Sequence, residues 1–159
     1  MPCLWGQHNN SQVFLTVGII DAATVNMTGT GRFGGSAPLP HMFRALIDTG
    51  AQSTMISTNV VQTLNLTPVG KIKIQGVGHN VTFHNGYLFH VAFVFPVLMS
   101  GQIVAPGGAA PAAIYTTPKS IYGGELTFPG GAFDVLLGMD IISTGSLKIE
   151  GNGTFSFSI

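Results

Sequence analysis

The chain has 159 residues, enough for one domain with a substantial core, and 45% of them are hydrophobic. Only 8% are charged, with six basic residues balancing six acidic ones, so there is neither a basic stripe for nucleic acid nor an acidic tail. The single cysteine, Cys3, excludes an intrachain disulfide framework and a cysteine-built zinc site, and the near-zero charge predicts modest solubility unless a partner subunit covers apolar surface.

Met1 to Ser11 lacks a basic region followed by an apolar run, so it does not read as a signal peptide. The longest apolar stretch, Tyr87 to Met99, is too short to span a bilayer and contains His90 and Pro96. A soluble, cytoplasmic protein is the expectation. Residues 1–12 read as an N-terminal arm to a single domain of residues 13–159.

Short β-type runs separated by glycine-rich turns follow one another along the chain. Val13 to Ile20 is a strand; Asp21 to Pro40 is small, polar and Gly-rich; Met42 to Ile47 is a second strand, ending on Asp48. Ser57 can cap a short helix in which Val60, Val61 and Leu64 recur at helical spacing before Pro68 stops it. Lys71 to Gln75 and Asn80 to His84 flank Gly76-Val77-Gly78-His79, a glycine-rich hairpin tip. Asn85-Gly86 signals a two-residue turn into a third antiparallel strand, Tyr87 to Phe95. Ser100 to Gly131 holds four of the nine prolines and reads as a long loop insertion with a strand at Ala113 to Thr116. Phe133 to Leu137 is a buried strand running into Gly138-Met139-Asp140 and a brief helix, and Leu147 to Glu150 and Thr154 to Ile159 close the chain.

One segment carries chemistry. Leu46-Ile47-Asp48-Thr49-Gly50-Ala51 places a carboxylate at a sharp turn after an apolar strand, once in the chain. Such a carboxylate is costly unless its hydrogen bonds are provided for. Joined to the Gly-tipped hairpin and to Val135-Leu136-Leu137-Gly138-Met139-Asp140, this segment resembles the retropepsin-like aspartic proteases over roughly Phe43 to Ile142, with the 100–131 loop unmatched. The resemblance implies an all-β fold, half of a pepsin-like enzyme, closed like a barrel with one or two short helices. It implies Asp48 as the catalytic carboxylate and Thr49 as a hydroxyl interlock across a dimer axis. Gly50 would accept substrate backbone hydrogen bonds. Substrate would also meet Ala51, Gln52 and a flap tip of Gly76, Val77, Gly78 and His79. Leu136, Leu137 and Gly138 would pack beneath the active-site turn, supported by Asp140. A homodimer acting on peptide or protein substrates follows, without metal or other cofactor.

The physics of the pair agrees with those roles. Two Asp48 carboxylates brought together share a proton, and aspartic proteases are the standing example of that pattern. The ionised member takes a proton from a bound water, which attacks the peptide carbonyl. Ala51 stands where pepsin-like enzymes carry Ser or Thr, so the resemblance implies activity at a less acidic pH than a pepsin. Retroviral relatives pair an acidic residue with an Arg at the positions of Gln52 and Met139; here a Gln52–Asp140 hydrogen bond is the expected substitute. Thr154 to Ile159 is the candidate strand for an intersubunit sheet.

Other features read more simply. Asp140 is a helix-terminal or structural acid, lacking its own Thr-Gly turn, and Asp134 is expected to be solvated. His79, His84 and His90 have no zinc spacing. Gly76-Val77-Gly78 lacks the third glycine and the helix of a dinucleotide fingerprint. The alternatives to a protease are a retropepsin-fold dimerisation or peptide-binding module without catalysis, and a structural β-domain.

Overall fold

The computed structural model describes residues 3–8, 12–25, 38–75, 81–96, 112–127 and 131–159. The first half runs through β1 (Cys3–Gln7), β2 (Val13–Asp21), a 3₁₀ turn (Ala22–Thr24), β3 (His41–Ile47), β4 (Met55–Ser57), α1 (Thr58–Leu64) and β5 (Gly70–Gln75). Then come β6 (Val81–Pro96), β7 (Ala112–Thr116), β8 (Ile121–Leu126), β9 (Val135–Leu137), α2 (Met139–Ile142), β10 (Ser146–Ile149) and β11 (Thr154–Ser158). The architecture is all-β with two short helices. No helix among the described residues is long and apolar enough to cross a membrane.

An eight-stranded sheet runs β2-β3-β9-β4-β8-β6-β5, with β7 added on β6, and β2 pairs with β6 as well, so the path of strands returns on itself. Period-2 patterning explains the inward face. Phe43, Ala45 and Ile47 of β3 are buried, while Arg44 between them lies outward, its guanidinium 4.1 Å from the Phe14 ring centroid. The core gathers Val17, Ile19, Ile56, Phe89, Val91, Val135 and Leu137. A second sheet, β1-β11-β10, is joined to the first through Phe157 and Phe93, whose rings lie 5.6 Å apart.

Helix α1 starts where its sequence says it should. The Ser57 hydroxyl accepts from the Val60 N–H at 3.3 Å, and Asn65, with φ of 51°, turns the chain out at the other end. Ser57 also donates to Asp134 at 2.9 Å, and the Asn59 amide donates to the same oxygen. Asp134 is therefore a half-buried acceptor tying β9 to α1, not a solvated charge. Ser57→Ala, which removes the cap and one donor to Asp134, is expected to cost about 1–2 kcal/mol in urea unfolding.

Three sequence expectations change. Asn85-Gly86 makes no turn: β6 is one 16-residue strand in which Gly86 pairs with Gly70 on one side and Gly124 on the other. The glycine serves a close approach, since a Cβ there would lie 2.3 Å from the Tyr122 Oη. Within the stretch read as a loop, β8 is an interior strand between β4 and β6. Its two glycines hid it; a Cβ on Gly123 would meet the Thr54 carbonyl at 2.5 Å and the Phe89 ring at 2.7 Å. Finally, β11 has no free edge, because β1 pairs along one side and β10 along the other. The N-terminal arm supplies that first neighbour.

At the β6–β8–α1 junction, Glu125 accepts from Thr58 at 2.8 Å, Tyr87 at 3.2 Å and Asn85 at 3.4 Å. Burial pushes the Tyr87 phenol above its ordinary value; a hydrogen bond to Asn85 opposes the rise and the Glu125 charge adds to it. The phenol stays protonated and serves as a donor.

Candidate active site

Asp48 stands one residue beyond β3, and its backbone N–H donates to the Leu137 carbonyl at 3.0 Å, extending the parallel β3–β9 ladder into the turn. The turn closes on itself. The Gly50 N–H donates to Asp48 Oδ1 at 2.8 Å, and the Ala51 N–H donates to the Asp48 carbonyl at 3.2 Å. This is the hydrogen bonding that a carboxylate at a strand end requires. Asp48 is half-buried, and Thr49 and Gly50 are exposed beside it.

The next residues are clamped to the Gly138 segment. Ala51 and Gln52 each accept through their carbonyls, from the N–H groups of Met139 at 2.8 Å and Asp140 at 3.1 Å. Thr54, fully buried, then makes three bonds: its N–H and hydroxyl donate to the two oxygens of Asp140 at 2.9 and 2.7 Å, and its Oγ1 accepts from the Gly138 N–H at 3.1 Å. The Gln52–Asp140 contact thus runs through the backbone, and the Asp140 carboxylate is taken up by Thr54. Both oxygens of Asp140 are committed to holding the turn, which leaves it no part as a second acid within the chain.

Gly138 permits this approach. A Cβ there would lie 2.5 Å from the Ser53 carbonyl carbon, so the two segments touch backbone to backbone. Gly138→Ala is expected to force them apart and to cost about 1–3 kcal/mol, read as a lowered midpoint in thermal unfolding.

The face of the sheet beside Asp48 is apolar. Leu46, Leu136 and Met55 sit directly across from one another on β3, β9 and β4, each half-buried, while their neighbours Ile47, Leu137 and Ile56 point into the core. Leu137 therefore packs beneath the turn, whereas Leu136 faces the open side. Met55 leads on to Gly124, and Ile72 and Ile74 of the β5–β6 hairpin lie 2.7 and 3.4 Å from where a Gly124 Cβ would be. Gly76, Val77, Gly78 and His79 fall outside the described residues; the strands leading to them are paired up to Gln75 and Val81.

Thr54 and Met55 are site residues that the sequence reading passed over. A buried threonine whose partner lies at position 140 leaves no local pattern, and Met55 takes its meaning only from its pairing with Leu136. Among the described residues the histidines do not converge: His84 bonds Thr82 at 2.8 Å, and buried His90 bonds the Thr117 carbonyl at 2.9 Å. Among the described residues no group of three or more His, Cys, Asp or Glu side chains could hold a metal ion.

Comparison with known proteins gives the same picture. The structure is similar to a retropepsin-like aspartic protease from Rickettsia conorii, with a TM-score of 0.51 and 14% identity, over 98% of this chain and 89% of that one. At that identity the likeness concerns the fold. The comparison with curated protein sequences returns no match. The profile of a family described as aspartyl protease matches residues 30–141. That profile takes in Asp48-Thr49-Gly50, Leu136-Leu137-Gly138 and Asp140, and spans more than half of the sequence; the chain belongs to the aspartyl protease family.

Proposed function

We propose that the chain is one subunit of a homodimeric aspartic endopeptidase, in which two Asp48 carboxylates share a proton and activate one water between them. The observation that carries this reading is the Asp48 turn: a carboxylate held by Gly50 at 2.8 Å, with exposed Thr49 and Gly50 beside it and Asp140, the acid of the adjoining helix, engaged at both oxygens by Thr54. Half of a dyad is built with care, and the other half has to come from a second copy.

In that dimer the ionised Asp48 removes a proton from the water as its oxygen attacks the scissile carbonyl carbon. The protonated Asp48 donates to the carbonyl oxygen, giving a neutral gem-diol. Collapse of the diol expels the amine, which takes its proton from the Asp48 that had accepted one from water, while a diol hydroxyl gives its proton to the other Asp48, so the pair again holds one proton. The two acids titrate as one coupled unit, so the pH–rate curve belongs to the pair. In this reading Gly76, Val77 and Gly78 act as the flap that excludes water. Leu46, Met55, Leu136, Ile72 and Ile74 favour large apolar side chains around the cut bond.

The test is cleavage of a peptide library across pH, with and without a statine-type analogue of the gem-diol. Expected is cleavage beside hydrophobic residues, at a less acidic optimum than a pepsin, abolished by the analogue. An absence of cleavage at every pH by dimeric protein overturns the reading.

A further inference from the structure

One row of residues crosses the larger sheet in register. Leu46, Leu136, Met55, Gly124, Gly86 and Gly70 lie side by side on β3, β9, β4, β8, β6 and β5. Residues directly opposite one another share a face of a sheet, so the whole row belongs to the open face beside Asp48. Its first half is bulky and its second half is glycine. Side chains from neighbouring positions fill the bare half. Tyr122, two residues before Gly124 on β8, reaches over β6 towards β5: a Cβ on Gly86 would fall 2.5 Å from its ring carbon Cζ, and one on Gly70 would fall 2.8 Å from its Oη. Ile72 of β5 reaches the other way, 2.7 Å from where a Gly124 Cβ would be. The two side chains thus pass in opposite directions and interlock the β5–β6 arm with β8.

The other face of β6 is tied at the same place by polar groups. Asn85 and Tyr87, on either side of Gly86, both donate to Glu125 of β8, and Lys71 of β5 donates to Asn85 Oδ1 at 2.7 Å. Water can replace bonds between groups as exposed as Lys71 and Asn85, and their net worth is small. A ring laid on a glycine backbone has no such substitute, and an aromatic placed over a glycine is one of the devices that fix strands in register. Tyr122 does this while remaining 41% exposed, so its work is on the strands beneath it and not in the core.

We infer that Tyr122 is a positioning residue: lying on Gly86 and Gly70, it holds the β5–β6 arm, and with it Ile72 and Ile74, at the height over the Asp48 face where substrate is met. The inference rests on the proposed protease in one respect, that substrate meets Ile72 and Ile74. Without the ring the arm spends part of its time in placements that withdraw those side chains, and apparent affinity falls by the fraction of molecules still in place. Saturating substrate draws the arm back, so the loss falls on KM and not on kcat.

Amide hydrogen exchange and steady-state cleavage of a fluorogenic peptide, both on the full chain, test it. Tyr122→Ala is expected to raise KM about five- to tenfold, with kcat within about twofold of the wild type. Binding of a statine-type analogue weakens by the same factor, and exchange quickens in residues 70–75 and 81–85 but not elsewhere. Tyr122→Phe keeps the ring and restores all three. Gly86→Ala puts a methyl group where the ring lies and raises KM likewise; added to Tyr122→Ala it changes nothing further, since both remove one contact. A wild-type KM in Tyr122→Ala overturns the inference, as does a loss confined to kcat. Faster exchange in the arm of a protein that cleaves nothing keeps the hold of Tyr122 on the arm and removes the protease reading. Cleavage with KM and exchange both indifferent to Tyr122 does the reverse.

Discussion

Asp48→Asn is expected to leave the fold intact and to lower peptide cleavage by a factor of about 10²–10⁴, the usual worth of a positioned acid–base group. The amide keeps an oxygen that can accept from the Gly50 N–H, and the bond from the Asp48 N–H to Leu137 involves only backbone. The turn therefore has no reason to open. In the proposed dimer, what is lost is the ability of the pair to hold one proton and one negative charge, and both subunits lose it together. The measurement is kcat/KM on a fluorogenic peptide taken from the library, beside thermal unfolding of both proteins. Equal cleavage by wild type and variant would remove the water-activating role from Asp48, whatever the fold.

Thr54→Val has the second large effect, and it acts on stability first. Valine matches threonine in shape but brings no hydroxyl, so the buried Gly138 N–H loses its acceptor and the half-buried Asp140 Oδ1 loses its hydroxyl donor. At about 1–3 kcal/mol for a stranded buried group and less for one that water can reach, the expected loss is about 1–4 kcal/mol. Urea titration gives the number. Activity should fall as well under conditions where the protein remains folded, because the same bonds hold the segment that follows the Asp48 turn. Thr54→Ser keeps the hydroxyl and is expected to recover most of both. A loss in Thr54→Ser as large as in Thr54→Val would point to the missing methyl group instead of the hydrogen bonds.

What could be read from the sequence was local. Asp48-Thr49-Gly50 after an apolar strand, Ser57 as a cap, and Leu136-Leu137-Gly138 before a short helix are patterns of neighbouring residues, and each is set by near-range geometry. What could not be read depends on residues far apart in the chain. Gly86 looked like a turn residue because Asn-Gly commonly is one; only Tyr122, lying against it, explains the glycine. β8 looked like a loop because Gly123 and Gly124 lower strand propensity, and their reason is the packing of Thr54, Phe89, Ile72 and Met55. Asp140 could be read as a structural acid from its place at a helix start, but Asp134 read as solvated, and only its distant partner Ser57 makes it a helix anchor.

The unbroken course of β6 has a mechanical consequence. From Val81 to Asn85 the strand is paired, among the described residues, with β5 alone, whereas β8 takes it from Gly86 to Phe89 and β2 from Phe89 to Ala92. A swing of the β5–β6 arm would therefore bend the strand near Gly86, where its pairing passes from β5 to β8 and the interior of the sheet begins. Amide exchange along this one strand should show a step there: fast on the arm side, slow on the other. The strand is built as a cantilever, fixed in the apolar interior and leaving it with β5 as its one partner strand among the described residues.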